Sequence, residues 1–389
     1  MKKYNVFIAG AGLAGLSLAK ELAGSGLSVL VIDKKKSAGS IGYHSSGTFM
    51  NPDDFAIPHN FLHKIDKVVF SSKNQLCSKT VDSCHVLDRV KLYEWMENTA
   101  VKDAGIKIRY GCELAGVVYR FGRVERVTYA DHGRPVVVTA DFYVDCTGTA
   151  SFLGRKAGLT PKKSVMALGV EHVVPLKEDS RTVYLYTGGN LGGGYGWVFP
   201  KSSKQAIAGA GLIKPELFRK INEIFEGMWV KRNISDICKR RSIVKNYAAL
   251  RTGGPLKRFV NGNVLVLGDS AHQASPLIGE GIRFILEASK EAGECLRKAY
   301  SAGKMNLVQK YGTLWRKKHY KNFSFLYFVQ RLLKMLTMND SIMDKGVKVL
   351  RCCNEYQYRR VLSGDIDLGF IFFIVADAWH KIKILKTRV

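Results

Sequence analysis

Segments rich in glycine and carboxylates have the residue types and the spacing that hold a phosphorylated cofactor. The first is Gly10-Ala11-Gly12-Leu13-Ala14-Gly15, which follows an apolar run at Tyr4–Ala9 and precedes apolar residues at helical spacing. There Gly10 permits a tight turn, Gly12 lets the backbone approach a pyrophosphate, and Gly15 allows close packing of helix on strand. The N-terminus of the following helix attracts phosphate through its amides and its dipole. The segment predicts a dinucleotide site.

An acidic residue stands where a dinucleotide site needs one. The apolar run Ser28–Ile32 ends in Asp33, eighteen residues beyond Gly15. A carboxylate at this position accepts hydrogen bonds from the hydroxyls of an adenosine ribose. The complete strand–turn–helix–strand unit is more specific than its glycines alone.

A second segment predicts another anion site further along the chain. The apolar run Asn263–Leu267 leads into Gly268-Asp269, and glycines at 279 and 281 precede a helical pattern that begins at Ile282. Asp269 is suited to hold a polyol chain. The helix start is suited to face a flavin ring that carries negative charge when reduced. Because Gly209-Ala210-Gly211 lacks a third glycine and lies in a strand-like run, the sequence favours FAD without a separate NAD(P)H domain.

Composition excludes several classes of protein. The chain has 389 residues, of which 46% are apolar and 24% charged, as in a globular protein of more than one simple domain. The longest apolar stretch, Phe370–Ala376, is far shorter than the roughly 20 residues of a membrane span. Residues 1–9 run straight into the glycine motif, which argues against a signal peptide. The eight cysteines show no metal-binding spacing, so we expect no metal site and a reducing cytoplasm.

The charge is strongly basic. The net charge is +27, and residues 301–389 contribute 17 basic against 6 acidic side chains, a net charge of +11. Such a field favours nucleic acid, anionic lipid, phosphorylated substrates or acidic redox proteins, although a solvated lysine-rich surface has the same composition. Because two cofactor motifs have no use in a nucleic-acid binder, we expect no nucleic-acid partner.

Together these motifs resemble a known family. The glycine motif with Asp33, Arg89 in the segment 86–89, Asp145-Cys146-Thr147-Gly148 and Gly268-Asp269 resemble the FAD fold of the para-hydroxybenzoate hydroxylase type. The segment 194–201, Gly-Tyr-Gly-Trp-Val-Phe-Pro-Lys, is similar to the substrate-domain motif of the geranylgeranyl reductase family. The resemblance covers residues 1 to about 320.

The resemblance implies roles for individual residues. Asp33 would bind the adenosine ribose, Arg89 the phosphate region and Asp269 the ribityl chain or pyrophosphate of FAD. The amides of Gly281 and Ile282 would face the isoalloxazine, and the backbone of Leu114 would contact adenine. The full set of residues expected to bind FAD is Gly10, Gly12, Ala14, Gly15, Asp33, Ser46, Gly47, Arg89, Leu114, Asp269, Gly279, Gly281 and Ile282.

The chain departs from the family pattern at two points. Many members have Cys-Gly beside the flavin, whereas the corresponding residues here are Ser46-Gly47, so a thiol is absent. His44 is either a substitute proton donor or an ordinary surface residue of this loop. The usual Asp-Gly after a later strand is Thr147-Gly148, and the acid is displaced to Asp145.

The predicted fold class is α/β, with a Rossmann-type FAD-binding domain, an inserted antiparallel-sheet substrate domain and a helical C-terminal region. The predicted FAD-binding domain is discontinuous and comprises residues 1–60, 84–160 and 245–300. Residues 61–83 and 161–244 form the predicted substrate domain, and residues 301–389 form the helical region. Strands of the substrate domain are expected at Ser164–Pro175, Thr182–Thr187, Tyr195–Pro200 and Gln205–Ile213.

Aromatic side chains alternate in the segment that carries the reductase motif. Tyr195, Trp197 and Phe199 would share one face of a strand that ends at Pro200, and an aromatic wall suits an apolar ligand. We therefore predict substrate binding at Tyr195, Trp197, Phe199 and Pro200. Ordinary core packing is the alternative explanation.

The C-terminal region mixes apolar and basic residues. Phe370–Val375 is followed by Trp379, Lys381, Lys383, Lys386 and Arg388, and an earlier apolar-aromatic run lies at 323–336. Three explanations fit this pattern: a segment on an anionic membrane surface, a helical cap over a lipid tunnel, and core packing. The expected location is cytoplasmic and peripherally associated with the membrane.

By resemblance, the chain would use reduced FAD to hydrogenate C=C bonds in geranylgeranyl chains of isoprenoid ether lipids or their precursors. Tyr195, His44 and a water molecule are the candidate proton donors. An acidic ferredoxin-like protein or NAD(P)H would supply electrons. A flavin monooxygenase or halogenase is the main alternative, although its Trp-x-Trp-x-Ile-Pro motif is matched here at only one tryptophan, Trp197. A lycopene-cyclase-like flavoenzyme is a further alternative.

Overall fold

The computed structural model describes residues 2–336 and 339–387, with the side chains at 190, 336 and 378–387 outside the description. Two eight-stranded sheets and a set of helices make up the described chain. The strands are β1 (Lys2–Ala9), β2 (Val29–Asp33), β3 (Gly47–Thr48), β4 (Leu62–Ser71), β5 (Leu76–Leu87), β6 (Ile106–Tyr110), β7 (Cys112–Arg120), β8 (Arg123–Asp131), β9 (Arg134–Asp145), β10 (Met166–Pro175), β11 (Thr182–Tyr186), β12 (Tyr195–Pro200), β13 (Gln205–Leu212), β14 (Val244–Arg251), β15 (Val260–Asn261) and β16 (Val264–Val266). The α-helices are α1 (Leu13–Leu22), α2 (Arg89–Ala100), α3 (Phe152–Lys156), α4 (Ile221–Lys231), α5 (Ile234–Ile237), α6 (Ile282–Ser301), α7 (Lys310–Leu336), α8 (Asp340–Cys352), α9 (Glu355–Ser363) and α10 (Leu368–Thr387).

The first sheet is doubly wound around the predicted dinucleotide unit. Its strand order is β15-β16-β9-β1-β2-β6, and β7 and β8 extend it beside β9. The pairs β1–β2, β1–β9, β2–β6 and β16–β9 are parallel. Helix α1 packs on α6 and α2. The predicted α/β class with a Rossmann-type FAD domain is confirmed.

The apolar runs explain why these strands are central. Val6, Phe7 and Ile8 of β1 and the equivalent residues of β2 are wholly buried. A parallel strand is covered by helices on both faces, so it favours a continuous apolar run over an alternating one. The predicted runs at Tyr4–Ala9 and Ser28–Ile32 therefore became adjacent parallel strands.

The second sheet has the order β14-β10-β13-β12-β11-β4-β5-β3. Strands β10 to β13 lie where the aromatic and apolar alternation predicted strands, and the Gly209–Gly211 segment pairs inside β13 as expected. The predicted strands β10 to β13 pair antiparallel with one another, as expected, and β11 also pairs with β4 in parallel. The long crossover between β4 and β11 permits this parallel pairing.

The second sheet draws on residues outside the predicted substrate domain. Gly47–Thr48 of β3, the end of β5 and Val244–Arg251 of β14 all belong to it. The division of the chain into domains therefore stays a prediction.

The C-terminal region is helical, as predicted, and covers the second sheet. Helices α8 and α9 pack on β5, and Tyr358 of α9 donates a hydrogen bond from its hydroxyl to the Val68 carbonyl oxygen at 3.3 Å. Leu326, Phe370 and Ile374 are buried in the same apolar cluster. Core packing thus accounts for part of the apolar composition. No helix within 2–336 or 339–387 has the length and apolarity to cross a membrane.

Candidate active site

The turn between β1 and α1 has the geometry of a phosphate-binding loop. Gly10 has φ +104° and its Cα faces the Cys146 carbonyl so closely that a Cβ would clash. Gly15 packs in the same way against the Gly10 carbonyl. In the described chain no atom lies within 4 Å of where a Cβ of Gly12 would be, so open space fronts this glycine. No described side chain caps the α1 N-terminus, which leaves its amides toward that space.

Asp33 lies at the carboxyl end of β2 and fixes the same loop. Its Oδ2 accepts a hydrogen bond from the Ala11 amide at 2.7 Å, and its Oδ1 accepts one from the Lys35 amide at 2.9 Å. The side chain remains half-buried. Leu114 lies in β7, which contacts β2, and the β7–β8 pairing shifts register just beyond it. Asp33 and Leu114 therefore belong to two strands that are in contact.

The segment at Gly268-Asp269 meets the first motif in space. A Cβ at Gly268 would lie 2.8 Å from the Cβ of Ala14 in α1. Asp269 is half-buried, its carboxylate accepts no hydrogen bond from the described residues, and burial raises its pKa to about 6. The opposing influences on that pKa are the guanidinium groups of Arg89 and Arg251. The two motifs therefore border one cleft.

Arg89, the first residue of α2, lies beside this cleft. Its Nη2 donates a hydrogen bond to the Tyr93 hydroxyl at 2.5 Å, and its Nη1 donates one to the Ser45 carbonyl at 3.5 Å. Its Nε is buried and finds no partner among the described residues. Burial disfavours the charge, but Tyr93, Glu171 and Asp269 hold the pKa above its ordinary value. A buried cation with an unused donor is suited to an anionic ligand.

The loop before β3 is tied to the second sheet by a buried carboxylate. Glu171 of β10 is fully buried and accepts hydrogen bonds from the His44 amide at 2.5 Å, the Ser45 amide at 2.9 Å and the Ser45 hydroxyl at 2.7 Å. The Ser46 hydroxyl donates to the Leu87 carbonyl at 2.5 Å. His44 itself is half-buried, and burial lowers its pKa. Hydrogen bonds from backbone amides and serine hydroxyls therefore fix this loop, without a thiol.

The aromatic residues of β12 form a row beside this loop. The rings of Tyr195 and Trp197 are 5.6 Å apart, and those of Trp197 and Phe199 stack at 6.0 Å. Pro200 ends the strand and is buried. The Phe199 ring lies 3.4 Å from where a Cβ of Gly47 would be. The predicted common face of these side chains is confirmed, and it touches the loop expected beside a flavin.

The start of α6 closes the other side of the row. The Tyr195 hydroxyl donates to the Ile278 carbonyl at 2.6 Å and lies 3.8 Å from where a Cβ of Gly279 would be. Gly281 is the N-cap of α6, no described side chain caps it, and Ile282 begins the helix. The predicted cofactor residues Gly47 and Gly279 therefore border the aromatic row on two sides, and Gly281 begins the adjoining helix.

These features fit FAD in three respects. Gly12 and Gly281 mark two long helices whose N-termini lack a side-chain cap among the described residues. The buried Arg89 has an unused donor, and Asp269 an unpaired carboxylate. Two uncapped helix N-termini, one for a pyrophosphate and one for a reduced ring, match the two anionic parts of reduced FAD. When bound, FAD supplies the hydride chemistry, while the chain binds and orients it.

Three buried groups near the site escaped the sequence analysis. Asp145, noted only as a displaced acid, is fully buried and accepts hydrogen bonds from the Thr147, Gly154 and Ser270 groups, so it braces the strand end. Glu171 is the carboxylate that accepts the hydrogen bonds of His44 and Ser45, and it is called the loop clamp below. Glu280 is buried between Gly279 and Gly281, and its Oε1 accepts a hydrogen bond from the Thr48 hydroxyl at 2.7 Å. An acid flanked by two glycines before a helix was the available signal for Glu280.

Comparison with known proteins agrees with this geometry. A family model described as FAD dependent oxidoreductase matches residues 5–162. Digeranylgeranylglycerophospholipid reductase 2 of Methanothermobacter thermautotrophicus is 26% identical over 90% of this chain and 91% of its own length. Digeranylgeranylglycerophospholipid reductase of Methanosarcina mazei is 26% identical over 81% of each chain. Over most of its length the chain is similar to digeranylgeranylglycerophospholipid reductases. It is an FAD-dependent oxidoreductase, and FAD is its cofactor.

Solved structures share the fold of this chain. A geranylgeranyl bacteriochlorophyll reductase-like protein from Thermoplasma acidophilum superimposes with a TM-score of 0.85 at 19% identity, with full coverage of both chains. The flavin-dependent brominase Bmp2 superimposes with a TM-score of 0.71 at 16% identity over 98% of this chain. At these identities the likeness concerns the fold alone. The likeness to the digeranylgeranylglycerophospholipid reductases therefore depends on the sequence relatives and the motifs.

Proposed function

We propose that this chain hydrogenates C=C bonds in the geranylgeranyl chains of isoprenoid ether lipids or their precursors, in membrane lipid biosynthesis. The observation that carries the proposal is the aromatic row Tyr195–Phe199 placed between the predicted flavin contacts Gly47 and Gly279. The relatives that match over most of the chain are named digeranylgeranylglycerophospholipid reductases. An apolar wall beside the cofactor suits an isoprenoid chain, which offers no polar group to bind.

We assign separate tasks to the residues around the cleft. The α1 N-terminus, Asp33 and Arg89 bind FAD, and Asp269 with the α6 N-terminus positions its other half. Trp197 and Phe199 hold the lipid and exclude water. An isolated alkene develops no oxyanion for the protein to stabilise, so the contribution of the chain is orientation and the supply of a proton.

The need for oxygen distinguishes the two activities. An oxygenase or halogenase requires oxygen, whereas the proposed reduction does not. Holoenzyme reduced with dithionite and kept free of oxygen should saturate a geranylgeranyl lipid, with a mass gain of two hydrogens per double bond. A requirement for oxygen, or a hydroxylated or halogenated product, would contradict the proposal and favour the brominase-like alternative.

Trp197→Phe tests the proposed lipid site, with Trp229→Phe as the matched control. Both tryptophans are buried and both indole nitrogens lack a partner among the described residues, but Trp229 lies in α4 behind the sheet. We expect Trp197→Phe to weaken lipid turnover about tenfold while FAD content stays constant. Equal turnover in the two variants would remove Trp197 from the lipid site.

We further propose that the protein works at an anionic membrane surface and receives electrons from an acidic ferredoxin-like protein or from NAD(P)H. The net charge of +27 favours both an anionic lipid surface and an acidic donor through electrostatic steering. Because the substrate is a lipid, an enzyme that lies at the membrane surface also shortens the path of that lipid from the bilayer to the active site.

A further inference from the structure

Glu280 is a buried acid that no binding role explains. It lies between Gly279 and Gly281 and is 9% exposed. Its Oε1 accepts the hydrogen bond from Thr48, whereas its Oε2 is buried with no partner among the described residues. An ionised carboxylate with a bare buried oxygen would be strongly destabilising, so such a site favours the neutral acid.

The surroundings of Glu280 combine both halves of the active site. Thr48 follows Gly47, and Gly279 adjoins the Tyr195 hydroxyl. Gly281 is the N-cap residue of α6, whose N-terminus receives no hydrogen bond from a described side chain. Tyr195 interacts electrostatically with Glu280, and its pKa is raised to about 12 by burial and by this neighbour. Tyr195 is therefore a poor acid near neutral pH, which leaves Glu280 as the better proton source on this side of the row.

The charged and titratable groups that face Glu280 do not hold it ionised. Burial raises its pKa to about 7, and the opposing influences are the Arg283 guanidinium and the Thr48 hydrogen bond. Arg283 is itself engaged with the Asp365 carboxylate at 3.1 Å. The groups that interact with Glu280 are Arg283 and Glu287 of α6, Thr48 of β3, Cys84 of β5, Tyr195 of β12 and Asp365 beyond α9.

We propose that Glu280 is the proton donor of the reaction. This proposal rests on the function proposed above. One carbon of the double bond receives the hydride that bound reduced FAD supplies, and the Glu280 carboxyl gives its proton to the other carbon. The π pair of electrons forms that second C–H bond, bound reduced FAD would supply the two electrons of the hydride, and the C=C bond becomes a single bond. The Glu280 carboxylate then regains a proton from water.

The first test is independent of turnover. Infrared difference spectroscopy of wild-type holoenzyme across pH 5–9 should show a protonated carboxyl band that disappears near the pKa of Glu280. The band should be missing in Glu280→Gln and present in Glu291→Gln, a buried carboxylate of α6 paired with Lys318 at 2.5 Å. A Glu280→Gln spectrum identical to that of wild type would overturn the proposal.

The second test separates this proposal from the proposed function. In anaerobic single turnovers with a geranylgeranyl lipid, Glu280→Gln should bind FAD and lipid normally yet transfer hydride about 100-fold or more slowly than wild type and Glu291→Gln. Wild-type transfer should slow as the pH rises from 6 to 8, because the acid form is lost. A Glu280→Gln rate within threefold of wild type, or a wild-type rate that is flat or rises over this range, overturns the role of Glu280. Absence of wild-type turnover at every pH contradicts the proposed function instead.

Discussion

At the scale of single residues, the candidate site contains carboxyl groups whose burial makes ionisation unfavourable in the protein without a ligand. Asp269 is the clearest case in the cofactor cleft. Its pKa of about 6 lies above the ordinary value of 3.8, chiefly through burial. The folded protein without FAD therefore binds this proton more tightly than the unfolded chain. The stability linked to Asp269 is present below pH 3.8 and is lost as the pH rises through 6.

Asp269→Asn should separate stability from cofactor binding. At pH 8 the variant without FAD should be more stable than wild type by about 2 kcal/mol, because it carries no charge in the cleft. Its affinity for FAD should nevertheless fall about tenfold or more, since a charged acceptor is lost. Urea unfolding of flavin-free protein and FAD titration measure the two effects, with the exposed Asp236→Asn as control. Unchanged FAD affinity would remove Asp269 from the cofactor site.

The glycines of the site were predictable, whereas its buried acids were not. Gly10 and Gly15 have local steric requirements that a short motif records, and Asp33 follows at a fixed spacing. Glu171 acts on a loop that lies more than a hundred positions earlier in the chain, so no local pattern records its role. The significance of Glu280 likewise depends on Thr48 of a distant strand.

At the scale of elements, one carboxylate joins the second sheet to the loop that is expected to lie beside the flavin. Glu171 of β10 receives three hydrogen bonds from His44 and Ser45 and one at 3.1 Å from the Asn246 side chain. The loop that leads into Ser46-Gly47 thus takes its position from β10, another strand of the second sheet. This clamp fixes the loop through the backbone amides of His44 and Ser45 and the Ser45 hydroxyl.

Glu171→Gln should release that clamp. The amide retains one acceptor oxygen and presents an NH₂ group in place of the other, so the backbone amide of His44 or that of Ser45 loses its acceptor. We expect a loss of about 3 kcal/mol in the free energy of unfolding, measured in urea. The exposed Glu178→Gln is the matched control and should change stability by less than about 0.5 kcal/mol. A loss as small as that of the control would show that the clamp does not stabilise the fold.

Most helices and strands could be predicted from the sequence, but the pairing of one strand with its neighbour could not. The β1–α1–β2 unit, the strand at Tyr195–Pro200 and the helical C-terminal region follow from period and turn residues. The parallel β4–β11 pair did not follow from them, because periodicity within a strand carries no information about which neighbour it meets. The Phe370–Val375 run was read as one patch, yet α10 turns Phe370 and Ile374 inward and leaves Phe372 and Phe373 outward.

At the scale of the whole molecule, the C-terminal helices cover the second sheet and keep an apolar outer face. Phe372 and Phe373 are 68% and 60% exposed, and Phe328 and Met335 of α7 are exposed as well. The side chains of Trp379, Lys381, Lys383 and Lys386, and the whole of Arg388, lie outside the described residues. Exposed aromatics in a region with a net charge of +11 fit an anionic membrane surface, and we retain this surface as a proposal.

Liposome co-sedimentation with a Phe372→Ser/Phe373→Ser double variant tests that surface. Each basic residue near an anionic bilayer contributes about 1 kcal/mol, screened over a Debye length of roughly 10 Å at 0.1 M salt. Wild-type binding should therefore weaken at high salt yet persist, and the double variant should lose the salt-resistant part. Phe121→Ser, at a 99% exposed residue between β7 and β8, should bind like wild type. Equal wild-type binding to neutral and anionic liposomes would contradict the electrostatic contribution, and unchanged binding of the double variant would contradict insertion.

The central claim is that electrons pass from this flavoprotein to a carbon–carbon double bond. The most direct measurement mixes fully reduced holoenzyme with a geranylgeranyl lipid under strict exclusion of oxygen and follows flavin absorbance together with lipid mass. We predict that each flavin oxidised matches one double bond saturated, and that no oxygen is required. Flavin that stays reduced beside the lipid until air is admitted, with no gain of hydrogen in the lipid, would contradict the account.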